Sequence, residues 1–108
     1  MSSNLSPAAK LTALVLAAPK LKPYDDSQDL RPYCALRRAS VAMHGVGHGA
    51  ALVDVAAELG FTPDGAVGIM NGWDRAEGTL PPFTEQDSNE YLAGEQLGER
   101  LHALVHSS

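Results

Sequence analysis

A chain of 108 residues, 44% apolar and 19% charged, suits one globular domain and is too apolar for wholesale disorder. With two Phe, three Tyr and one Trp, its core must be built mainly from Leu, Val and Ala, and its single cysteine, Cys34, excludes an intrachain disulfide. The net charge of −5 hides an asymmetry: residues 1–38 carry six basic groups against three acidic, whereas residues 39–108 carry two, Arg75 and Arg100, against ten.

Ser6-Pro7 is a helix start, because serine caps free amides and proline at the first helical position loses no bond. Leu11, Leu14, Val15 and Ala18 follow at helical spacing, and Pro19 and Pro23 end the helix. The stretch LTALVLAA resembles the apolar part of a secretory signal. It lacks the basic flank, however, and is far shorter than the ~20 apolar residues a membrane span needs, so a cytoplasmic protein with no membrane association is expected. Residues 20–32 form a polar loop. A second helix is expected from near Pro32 through 33–44, ended by Gly45, Gly47 and Gly49. A third, over 50–59, places Leu52, Val55, Ala56 and Leu59 on one face, with Gly60 as its left-handed terminator and Phe61 just beyond.

Thr62-Pro63 opens a fourth helix by the same cap-plus-proline logic, running over 64–76 with Gly65, Gly68 and Gly72 on one face. After a loop, EGTLPPFTEQ, the last helix starts at Thr84 or Ser88 and runs to about His106. Its inner positions are Tyr91, Gly94, Leu97, Gly98, Leu101, Leu104 and Val105. Gly94 and Gly98 form a packing notch, which the glycine face of the fourth helix or a second copy of the chain can fill. No β-alternation of useful length is present. The expected fold is all-α, a single compact domain of four or five short helices covering 1–108.

Four histidines form two pairs at i,i+4 spacing, His44/His48 and His102/His106. On a continuous helix that spacing puts two imidazoles on one face, as a helical zinc site requires. Gly45 and Gly47 interrupt the first pair, and the second sits where a helix C-terminus already suits a cation. HGVGH therefore reads as a turn, and a metal site from His44, His48, His102 and His106 is the alternative reading.

The third and fourth helices outline a helix-turn-helix, but Asp64 at the head of its second helix would repel phosphate. Nucleic-acid binding through Lys20, Lys22, Arg31, Arg37 and Arg38 is a further alternative. LRRASV matches a basophilic kinase site at Ser40 by chance of composition, and GVGHGAA lacks the strand and lysine of a phosphate loop. No catalytic constellation or cofactor fingerprint stands out, and no cofactor is expected. The expectation is a small non-catalytic protein-binding module, an adaptor or inhibitor, that meets another protein through an acidic and apolar surface. Trp73, Asp74, Glu77 and Phe83 are its candidate contacts, and a homodimer is a further expectation.

Overall fold

A computed structural model describes residues 5–17, 35–45, 51–81 and 83–107. Five helices and no strand are found among them: α1 (Pro7–Ala17), α2 (Ala35–His44), α3 (Leu52–Leu59), α4 (Pro63–Glu77) and α5 (Asn89–Ser107). The all-α expectation holds, and the five segments fall where caps and periodicity place them. Two of them are not short: α4 has 15 residues and α5 has 19. The polar loop over 20–32, Cys34, Gly47, His48 and Gly49 lie outside the described residues, as do Lys20, Lys22 and Arg31.

The helix ends follow local chemistry. Ser6 Oγ accepts the Ala9 amide at 3.1 Å, and Thr62 Oγ1 accepts the Gly65 amide at 3.1 Å, with Pro63 opening α4. Gly60 (φ 103°) and Gly78 (φ 91°) close α3 and α4 with paired 5→2 and 6→1 bonds. Ser88, not Thr84, caps α5: its Oγ accepts the Tyr91 amide at 3.1 Å and donates to Asp64 Oδ2 at 2.9 Å, tying the start of α5 to that of α4.

The core joins Leu11 and Val15 of α1, Leu36 and Ala39 of α2, and Val55, Ala56 and Leu59 of α3. To these α4 adds Ala66, Ile69 and Trp73, and α5 adds Leu97 and Leu101. Leu104, read as an inner position, is 37% exposed, whereas the next residue, Val105, packs against the core. Helix α4 is central, buried at Gly65, Ala66 and every residue from Gly68 to Trp73. The third and fourth helices do follow one another across a Gly60 turn, but the middle of α4 offers no free face of the kind a recognition helix presents to the groove. Ser40 is also buried, so the kinase-like stretch is not offered to a kinase. No helix among the described residues is long and apolar enough to cross a membrane.

Among the described helices the α4–α5 interface is the most extensive, and the residues that meet across it increase together along both, so the two run parallel. Residues 65/90, 69/94, 73/98 and 77/102 lie side by side along it. The glycines make this possible. A Cβ at Gly68 would fall on Tyr91 O, one at Gly72 on Glu95 O, one at Gly94 on Gly65 O, and one at Gly98 on Ile69 O. Each glycine thus lets a carbonyl of the other helix occupy the space a side chain would take. The Gly94/Gly98 notch is filled by α4 of the same chain.

Candidate functional site

Two features stand above the helical scaffold: an aromatic–carboxylate cluster where α4 and α5 end, and the crossover that joins them.

Parallel helices share their ends. The C-terminus of α4 therefore lies beside the last turns of α5, and both dipoles point their negative poles the same way. The i+4 row along α5 reads Gly94, Gly98, His102, His106. Where α4 stops, the row changes from glycine to histidine. His102 Nε2 lies 2.8 Å from Glu77 Oε1, and its side chain is 15% exposed. The two imidazoles stack, with centroids 4.0 Å apart and planes at 20°. Trp73, one turn before Glu77, meets His102 edge-on at 5.0 Å and His106 at 6.2 Å. His106 Nδ1 lies 2.9 Å from the His102 carbonyl oxygen. A carbonyl only accepts, so Nδ1 carries the proton, and in the neutral ring Nε2 keeps its lone pair. One ligand-type atom from each of Glu77, His102 and His106 lies within 4.8 Å of the others.

His44 belongs elsewhere. It is the last residue of α2, and Gly45 follows it in the left-handed region (φ 91°), so the helix stops inside HGVGH at its first glycine. His44 Nε2 pairs with Glu58 Oε1 at 2.9 Å. Among the described residues, His102 and His106 are joined by Glu77 and not by His44.

Residues 78–88 must travel back along α4 to start a parallel helix, and a buried asparagine holds their course. Asn71 Oδ1 accepts the Phe83 amide at 3.1 Å, while Nδ2 donates to Phe83 O at 3.0 Å and to the Tyr91 hydroxyl at 2.9 Å. The Tyr91 hydroxyl donates in turn to Glu95 Oε2 at 3.2 Å. Arg75 bridges Glu95 on α5 and Glu85 in the crossover. Burial acts to lower the Arg75 pKa, but Glu95 and Glu85 outweigh it, so the guanidinium stays charged. Burial raises the Tyr91 phenol above the usual 10.0; the Asn71 bond opposes the rise and the Glu95 charge adds to it.

A phenol raised in the fold contributes stability below its unfolded pKa and loses it as pH climbs through the folded value. The protein should therefore lose stability more steeply above about pH 10 than Tyr91→Phe does. At neutral pH that variant should cost ~1–2 kcal/mol for its lost hydrogen bonds. Urea denaturation across pH 7 to 11 checks both, and parallel alkaline slopes would count against a buried Tyr91 hydroxyl.

The partner-contact candidates separate. Trp73 is 4% exposed and belongs to the core and the histidine cluster, so it offers no ready surface anchor. Glu77 is occupied by His102. Asp74 is half-buried near the end of α4, where its carbonyl receives the Thr79 amide and hydroxyl. Phe83 is pinned by its backbone while its side chain remains on the surface, the residue being 46% exposed, and Leu80 is 89% exposed.

No protein-family model, curated protein or solved structure matches this chain.

From the sequence, Glu77 is a candidate partner contact and not a histidine partner, although a carboxylate at a helix C-terminus opposes the dipole and such a broken local rule is itself a signal. Nothing local to Asn71 shows that it is buried.

Proposed function

We propose that this protein is a non-catalytic binding module, an adaptor or inhibitor, whose crossover between α4 and α5 docks a protein partner presenting basic and apolar side chains. The observation that carries the reading is Phe83. A fully buried asparagine grips its backbone on both sides, and its ring is left on the surface near the still more exposed Leu80. Rigid aromatic anchors lose little entropy on binding and dominate interface energies. Charge completes the argument: Asp74, Glu77, Glu85, Asp87, Glu90 and Glu95 stand against Arg75 alone between residues 74 and 95. A field of that sign steers and selects a basic surface. A cytoplasmic setting agrees with one cysteine and no intrachain disulfide.

The test begins with affinity capture from the native host and ends with the purified partner in calorimetry. Phe83→Ala leaves the main-chain bonds to Asn71 in place and should weaken binding at least ~10-fold. Glu85→Lys should slow association and reduce its salt dependence. Leu16→Ser, on exposed α1 surface, should change nothing. A partner whose affinity survives both Phe83→Ala and Glu85→Lys would refute this surface.

A further inference from the structure

We propose that Glu77, His102 and His106 form a binding site for one divalent late first-row transition ion, of the kind represented by Zn²⁺. This does not rest on the protein-binding reading. Two imidazoles at i,i+4 on α5 and one carboxylate from α4 supply three ligands of the types zinc takes, leaving a fourth position to solvent or an external ligand.

The ligands are already gathered. A tetrahedral ion with bonds of about 2.0–2.1 Å holds neighbouring ligand atoms ~3.3 Å apart. His102 Nε2 and Glu77 Oε1 stand 2.8 Å apart, so a small side-chain shift admits an ion in place of the shared proton. His106 is held by its Nδ1 bond to the His102 carbonyl, which directs the lone pair to Nε2. Fixing the tautomer through the other ring nitrogen is the usual support for a metal-bound histidine. Trp73 walls the core side of both rings, restricting their rotation. Electrostatics favour a cation at this end. The C-termini of parallel helices contribute partial negative charge, and Glu77 sits where its own helix dipole disfavours a carboxylate unless a positive charge answers it.

The chain's single tryptophan is part of the cluster, which provides the readout. Tag-free protein is titrated with ZnCl2 by calorimetry and with CuCl2 by Trp73 fluorescence. One equivalent of Zn²⁺ should bind, and one equivalent of Cu²⁺ should quench the emission. His106→Ala and Glu77→Gln, both at exposed positions, should each weaken Zn²⁺ binding at least ~10-fold and remove the stoichiometric quenching. Circular dichroism verifies that both keep their helix. His44→Ala should bind as tightly as the parent, because its ring is engaged with Glu58. Absence of saturable uptake, uptake unchanged in both cluster variants, or equal weakening by His44→Ala would each overturn the assignment.

Discussion

Gly98→Leu is expected to lose about 3 kcal/mol of stability, the upper part of the usual range for overpacking. A Cβ there overlaps Ile69 O and lies 2.8 Å from Trp73 N, both backbone atoms of α4, so no rotamer change relieves the clash. Gly72→Ala, the smallest possible insertion, should still cost ~1–3 kcal/mol even though alanine favours helix over glycine by ~1 kcal/mol. Its Cβ overlaps Glu95 O and comes within 2.8 Å of Glu95 C. Gly65→Ala is the internal control. The nearest atom to its Cβ is Thr62 Oγ1 at 3.4 Å, an ordinary contact, so propensity should dominate and the variant should be neutral or more stable by up to ~1 kcal/mol. Urea denaturation followed by circular dichroism ranks the three. Gly72→Ala matching Gly65→Ala would mean that α4 and α5 do not approach this closely. Since whole domains are stable by ~5–15 kcal/mol, the first two losses are large.

Asn71→Leu should be damaging on the same scale, costing ~2–3 kcal/mol. The substitution keeps the volume but strips partners from both main-chain groups of Phe83 and from the Tyr91 hydroxyl. Phe83 can recover water at the surface, whereas Tyr91 is 1% exposed and cannot. The effect should be local before it is global: with the crossover released, residues 78–88 become cleavable under conditions where the parent resists. Limited proteolysis with mass mapping reads this directly. Cleavage at the parent's rate would show that the crossover does not depend on its asparagine. Partner binding should weaken in the same variant, because Phe83 is no longer presented in one geometry.

The two sets of expectations differ in how far apart their determinants lie. Gly60 was readable as a terminator because its left-handed turn and the Phe61 amide bond involve neighbours in the chain. The capped start at Thr62-Pro63 is equally local. Ser88 and Thr84 were both acceptable caps in the sequence. What separates them is the Ser88 bond to Asp64, made 24 residues away. The histidines show the same division. Gly45 makes the end of α2 inside HGVGH legible, since a positive φ is a property of one residue. That His102 meets Glu77 depends instead on the parallel alignment of α4 and α5.

By itself, then, the sequence determined the helices, the caps at Ser6 and Thr62, the aliphatic core composition, the two glycine faces and the acidic character of residues 39–108. All of these follow from interactions between residues a few positions apart, or from composition. Only the tertiary structure decided that the glycine faces meet each other, that the helices run parallel, that Asn71 holds the crossover, and that Trp73 turns inward to the histidines. Those outcomes depend on which backbones can approach most closely, and a carbonyl seated against a glycine 23 to 29 residues away leaves no periodicity to read. The row Gly94, Gly98, His102, His106 stands between the two cases. Its spacing is visible in the chain, but its meaning changes at the point where α4 ends, and that point is set by the register between two helices.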